Sequence, residues 1–257
     1  MKRLLNKVIT ITGATKGIGR GIALDLAREG AQIVIGGRSK NEGESLVTEI
    51  QKEYGLEALF VQGDVKEEAY CNELIEKTVE NFGRIDGLVN NAGIFPEVDF
   101  FECDSALFDQ VYAVNVRGAF MCSKFAAIKM VAQGGGSIVQ IGSTHAFGAS
   151  PHYSIYGTSK GALFSLNSYL SKNLAKNNIR SNWITVGWVL TPGELERVTA
   201  KGHNLAWLED IANRMIPLGG LQSCEDISYG VIYLLSDESR HVTETDIKIT
   251  GGFVPGH

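Results

Sequence analysis

Short runs of β-branched and aliphatic residues alternate along the chain with longer stretches in which apolar positions recur every three or four residues. The short runs fall at 8–11, 33–35, 58–61, 87–90, 137–141, 179–185 and 245–249, and each predicts a strand. The longer stretches, 19–29, 41–54, 67–82, 105–132, 155–177 and 224–235, carry helical spacing. Strands and helices in strict alternation predict an α/β chain, a doubly wound parallel sheet of seven strands with helices on both faces. These elements fill the sequence, so we expect one domain over 1–257, with a first half to about 145 and a second half from about 146. The Gly134-Gly135-Gly136 run predicts a turn before the fifth strand. The segment 191–220 breaks the rhythm, being polar, interrupted by Pro192, Gly193, Gly202 and Pro217, and longer than an ordinary connection. It is expected to act as a lid.

Composition narrows the classes. With 24 basic against 29 acidic residues the 257-residue chain has a formal charge of -5, and nothing favours the phosphate backbone of nucleic acid. Cys71, Cys103, Cys122 and Cys224 are far apart and show no zinc-ligand spacing, so free thiols and no metal site are expected. Met1-Lys2-Arg3 is not followed by the apolar core of a signal peptide, and no run approaches the ~20 apolar residues of a membrane span. A cytoplasmic protein without membrane contact is the expectation.

The first strand runs directly into Thr12-Gly13-Ala14-Thr15-Lys16-Gly17-Ile18-Gly19, with a helix following. Glycines let the backbone turn sharply and approach a ligand, and the N–H groups and dipole of a helix N-terminus attract phosphate. This turn is therefore a candidate dinucleotide site. At the end of the second strand an acid would bond the ribose 2′-hydroxyl of NAD, but the chain reads Ile35-Gly36-Gly37-Arg38-Ser39. Arg38, with Lys16 in the glycine turn, suits the extra phosphate of NADP, so NADP(H) is preferred over NAD(H).

Tyr156 and Lys160 lie four apart and so share one face of a predicted helix, where an ammonium would stabilise a phenolate and lower the phenol's pKa from its usual ~10. Tyr153 has Gly157 at the corresponding position and lacks such a partner. Ser143 stands at the carboxyl end of the fifth strand and Asn90-Asn91-Ala92-Gly93 at that of the fourth, the edge where open α/β sheets bind ligands. Asn115 falls in the middle of a predicted helix, an unfavourable place for an amide, and is a further candidate, although a solvent-facing position would also accommodate it.

From Lys7 to Gly252 the chain resembles the short-chain dehydrogenase/reductase family in its single-domain branch. Thr12 to Gly19 matches that family's T-G-x-x-x-G-I-G turn, Asn90 to Gly93 its N-N-A-G, and Asn115, Ser143, Tyr156 and Lys160 its catalytic tetrad in order. The resemblance implies a Rossmann-like fold, with Asp64 and Val65 bordering the adenine and Asn91, Ala92 and Gly93 along the cofactor. It also implies Val189 and Thr191 at the nicotinamide end, and a homotetramer packed through the helices at 105–132 and 155–177. Two departures stand out: Val186-Gly187 replaces the usual Pro-Gly, which is expected to loosen the backbone there, and Thr250-Gly251-Gly252 replaces D-G-G.

The reading that follows is an NADP(H)-dependent oxidoreductase moving a hydride between nicotinamide and a carbonyl or secondary alcohol. Tyr156 acts as acid, Ser143 polarises the oxygen, Lys160 lowers the tyrosine pKa and holds the ribose, and Asn115 positions a water. The alternative is a non-catalytic dinucleotide-binding regulatory protein on the same fold. An epimerase or dehydratase with tightly held NAD fits poorly with the chain length and Arg38. His145, Phe147, His152, Trp188 and Glu194 are the candidates for substrate selection, and a sugar or polyol, a 3-oxoacyl compound and a steroid-like ketone remain open.

Overall fold

In a computed structural model, which describes residues 2–148 and 150–254, seven parallel strands form one sheet in the order β3-β2-β1-β4-β5-β6-β7. They are β1 (Val8–Thr12), β2 (Gln32–Gly37), β3 (Ala58–Gln62), β4 (Gly87–Asn90), β5 (Gly136–Ile141), β6 (Ile179–Val186) and β7 (Asp246–Ile249). The order reverses between β1 and β4, so the loops after these two strands part in opposite directions and leave a crevice at the sheet's carboxyl edge.

The period-two pattern explains why helices cover both faces. Ile9, Ile11, Ile33, Ile35, Val139 and Ile184 face one layer, where α1 (Gly17–Arg28), α2 (Lys40–Tyr54) and α9 (Cys224–Leu235) bury Ile22, Leu46 and Val231 against them. Val34, Leu88 and Ile138 face the other, against Leu74 of α3 (Glu68–Phe82) and Met130 of α5 (Ala119–Gln133). On that second face Thr10 is fully buried, and its hydroxyl is satisfied by Thr78 of α3 at 2.9 Å. The glycine run turns as expected, with φ +96° at Gly134 and +148° at Gly135.

One expectation needs correction, and the segment 191–220 is more ordered than its polarity implied. The helix expected over 105–132 is interrupted: α4 (Ser105–Tyr112) passes into a π-helical turn, Ala113–Gly118, before α5 begins. The turn nests against the loop after β3, where a Cβ on Gly118 would lie 2.9 Å from the carbonyl of Val65. Tertiary packing therefore fixes a local irregularity that a 3.6-residue period does not reveal. The polar segment 191–220 contains two helices, α7 (Pro192–Ala200) and α8 (Leu205–Met215). Thr191 caps the first by accepting the Glu194 N–H at 3.1 Å, and Asn204 caps the second by accepting that of Trp207 at 2.9 Å. Val198, Leu208 and Ala212 anchor the pair with almost no exposure.

Candidate active site

The glycine turn is built by close approach of β1 and β4. Gly13 has φ +65°, and a Cβ there would meet the Ala92 backbone at 2.8 Å; one on Gly19 would lie 2.4 Å from the Asn91 amide. Asn91 donates through Nδ2 to the carbonyls of Thr12 and Gly13 at 2.9 and 3.0 Å, while the Thr12 hydroxyl accepts the N–H groups of Asn91 and Ala92 at 3.1 Å each. Asn91 thus shapes the turn, with its amide nitrogen directed at the turn's own carbonyls. Thr15 is buried under the turn and Ile18 half-buried.

α1 starts at Gly17 from Lys16, which provides no side-chain cap, and its first turn carries no acid. The N–H groups of that turn lack intrahelical acceptors, so an anion would complete them. Thr191 closes the other side, its Cγ2 3.8 Å from where a Gly17 Cβ would sit. These features, a turn that only glycine can form and an open helix N-terminus facing a crevice, fit the pyrophosphate of a dinucleotide. Arg38 is exposed, and its guanidinium lies 4.0 Å from the Asp64 carboxylate, which also takes the Lys66 ammonium at 3.5 Å and its backbone N–H at 3.0 Å. Val65 lies buried against the π turn. Val189 is likewise buried, in a single parallel bridge to Gln222.

Tyr156 and Lys160 come from α6 (Ser154–Leu174), with the Lys160 Nζ 5.8 Å from the centre of the Tyr156 ring. They share a face, but the expected electrostatics are not what the structure has. Lys160 is 4% exposed and donates to the carbonyl of Ile141 at 2.7 Å. Desolvation lowers its pKa to about 8. The Tyr156 phenol, still partly open to the crevice, is pushed up to about 12 by desolvation, with the Ser143 hydroxyl opposing that rise and Tyr153 adding to it. The lysine is not among the groups that shift it.

Asn115 is fully buried in the π turn, which rules out a solvent-facing position. Its Oδ1 accepts the Ile94 N–H at 2.8 Å, and its Nδ2 donates to the Ile94 carbonyl and the Ser159 hydroxyl, both at 2.9 Å. Asn115 therefore ties the loop after β4 to α6. Gly93 is exposed beside it, the position of its Cβ being 3.5 Å from Asn115 Oδ1 and 3.8 Å from Lys160 Nζ. The loosening expected at Val186-Gly187 is not found. Val186 pairs with Ile249 in the β6–β7 ladder, and Gly187 donates to the Ile249 carbonyl at 2.9 Å. The two departures from the motif also touch, since a Cβ on Gly187 would meet Thr250 Cα at 2.8 Å.

Of the substrate-selection candidates, His145 lies at the centre. Its ring stands edge-on to Tyr153 and Tyr156, and burial lowers its pKa. Phe147 packs with Phe164 and Trp183. His152, at φ +66°, is exposed and 3.9 Å from Asp99. Glu194 is committed elsewhere: its buried carboxylate accepts Trp188 Nε1 at 2.7 Å and two bonds from Arg197 at 2.7 and 2.9 Å. Arg197 continues to Glu97 at 3.3 Å, where Lys201 at 2.5 Å and the Tyr153 hydroxyl at 3.3 Å converge. This network and Phe95, whose ring lies 6.0 Å from that of Tyr156, escaped the sequence reading. The three-residue spacing of Glu194 and Arg197 was the one available signal; nothing marks Glu97 or Phe95.

A family model described as enoyl-(acyl carrier protein) reductase matches residues 13–254. The chain is also 38% identical over 246 residues to an uncharacterized oxidoreductase of Thermotoga maritima, covering 96% of each. It belongs to the short-chain dehydrogenase/reductase family. Another member, L-rhamnose 1-dehydrogenase (NAD(P)(+)) of a Sphingomonas species, is 33% identical with 98% of each chain covered. L-Sorbose reductase from Gluconobacter frateurii, solved with NADPH and L-sorbose, superposes with a TM-score of 0.94 at 27% identity over 98% of both chains. As a short-chain dehydrogenase/reductase the chain is an NAD(P)-dependent oxidoreductase of CH–OH chemistry. Among the described residues no helix is long and apolar enough to cross a membrane.

Proposed function

We propose that this short-chain dehydrogenase/reductase is an NADPH-dependent carbonyl reductase, with Tyr156 as the proton donor and a hydroxylated, sugar-like or polyol-like ketone as substrate. The carrying observation is geometric: Tyr156 and Lys160 share one face of α6, with Lys160 Nζ 5.8 Å from the Tyr156 ring centre and held by the Ile141 carbonyl, where Ser143 follows β5 at the carboxyl edge of the sheet. A nicotinamide dinucleotide bound in the crevice supplies the hydride. Gly13, Thr15, Lys16, Gly17, Ile18 and Gly19 would hold its pyrophosphate, Asp64 and Val65 its adenine, and Arg38 with Lys16 a 2′-phosphate. Asn91, Ala92, Gly93, Val189 and Thr191 would line its nicotinamide half. Tyr156 gives its proton to the substrate oxygen, and Ser143 donates a hydrogen bond to the same oxygen. Lys160, held by the Ile141 carbonyl, presents an ammonium to the ribose and replenishes the phenol's proton. Asn115 keeps α6 at its distance from the loop after β4.

Residues 1–145 then act as the cofactor half, and 146–257 as the catalytic half with 191–220 as lid. The hydroxylated substrate draws support from the two sugar-converting relatives and from the polar rim that Glu97, Tyr153 and Arg197 give the crevice. A homotetramer packed through α5 and α6 belongs to the same proposal. The test is turnover of a ketone panel, followed by nicotinamide absorbance. Tyr156→Phe should lose at least ~10²-fold in kcat while still binding NADPH. Near-parent turnover in that variant would refute the assignment, and a parent that binds cofactor without turning over any carbonyl would favour the regulatory reading.

A further inference from the structure

Ser143 ends the segment after β5 and caps the short 3-10 turn Thr144–Ala146. Its Oγ accepts the backbone N–H of His145 at 3.2 Å, and Nδ1 of the same residue's ring lies 3.4 Å away. A hydroxyl oxygen has two lone pairs and one proton, so where it accepts twice its proton has little choice of direction. The ring is not free to swing: its centroid is 5.1 Å from that of Tyr153 and 5.6 Å from that of Tyr156, edge-on to both. Its backbone is pinned too, because the His145 carbonyl lies 2.9 Å from where a Cβ on Gly157 would stand, a contact that only glycine allows.

We propose that His145 is a positioning residue that fills both lone pairs of Ser143 Oγ with its backbone N–H and its Nδ1–H, and so aims the Ser143 proton into the crevice beside Tyr156. This rests on the reading of Ser143 as the donor to the substrate oxygen. Desolvation favours the neutral imidazole, and the proposed role places its one proton on Nδ1, 3.4 Å from Ser143 Oγ. A donor aimed before the substrate arrives needs no reorientation as negative charge develops on the carbonyl oxygen. With an apolar side chain at 145 one lone pair of Oγ is vacated, and the hydroxyl is free to rotate away.

The experiment compares His145→Leu with His145→Asn, whose amide N–H reaches the position of Nδ1. His145→Leu should lose about tenfold in kcat with the KM for NADPH unchanged, the scale of one hydrogen bond. His145→Asn should stay within about threefold of the parent. In a Ser143→Ala background His145→Leu should cost nothing further. An unaltered kcat in His145→Leu, equal impairment of His145→Asn, or a full effect in the Ser143→Ala background would each overturn the role. Should His145→Leu not fold, His145→Ala carries the same comparison. Tyr156→Phe assayed alongside separates the two failures, since full turnover there overturns the catalytic assignment, whereas its loss with His145→Leu unimpaired overturns the His145 role alone.

Discussion

Arg38 and Lys160 are both cations at the crevice, and their surroundings give them opposite work. Arg38 stands in water at the end of β2, its guanidinium 4.0 Å from the Asp64 carboxylate, a distance too long for a strong pair. Its donors remain available to a phosphate, and on that ground Arg38→Ala should raise the KM for NADPH at least ~10-fold while leaving that for NADH within about twofold. Equal loss with both cofactors would show that Arg38 does not read the 2′-phosphate. Lys160 is held by the Ile141 carbonyl but has been stripped of water, and that desolvation lowers its pKa to about 8. The sequence put Tyr156 and Lys160 on one face correctly, because helix geometry alone decides that. The desolvation that raises the phenol's pKa was not legible there, because it depends on everything packed around the ring and not on the residue four positions away.

At the scale of elements, the glycine turn was legible and the two helices within 191–220 were not. Gly13 and Gly19 are required by close approach of β1 and β4, a constraint the spacing itself expresses. In α7 the cap Thr191 and the first-turn Pro192 went unread as a helix start, and what holds the helix down comes from residues a hundred positions away. Glu97 takes Lys201 and Arg197 from the α7 end and Tyr153 from the start of α6. The Lys201 hydrogen bond holds the Glu97 carboxyl below the usual carboxylate range. These partly exposed pairs are each worth about 0.2–1 kcal/mol, so their joint removal is felt without unfolding the chain. Glu97→Gln should raise the substrate KM about threefold with a smaller change in kcat, and should speed tryptic cleavage at Arg197 and Lys201. An unchanged KM together with unchanged proteolysis would mean that the network does not hold α7 in place.

The whole molecule adds a surface that no single element explains. Phe120, Ile128 and Val131 of α5 and Tyr169 of α6 are large apolar side chains left open to solvent, the last 61% exposed. A concavity of about 940 Å³ lined by Lys66, Asp109, Tyr112, Arg117 and Phe120 opens nearby, and none of Asn115, Ser143, Tyr156 and Lys160 lines it. Exposed apolar area of this kind is characteristic of a surface that another chain covers. Sedimentation velocity should give four times the mass of one chain, and Ile128→Glu should shift it to smaller species. A parent that sediments as a monomer across the concentration range would end the tetramer reading.

Alternation of short apolar runs with amphipathic stretches determined the doubly wound parallel sheet, because each run can bury itself only when helices cover both faces. Glycine spacing determined the tight turn between β1 and α1, and a four-residue interval determined that Tyr156 and Lys160 share a helix face. The tertiary structure alone decided the π turn that buries Asn115, the ring of His145 beside Ser143, and the Glu97 network that ties α7 to the start of α6. Those features depend on contacts between distant segments, whose distances follow from packing and leave no periodicity in the chain to read.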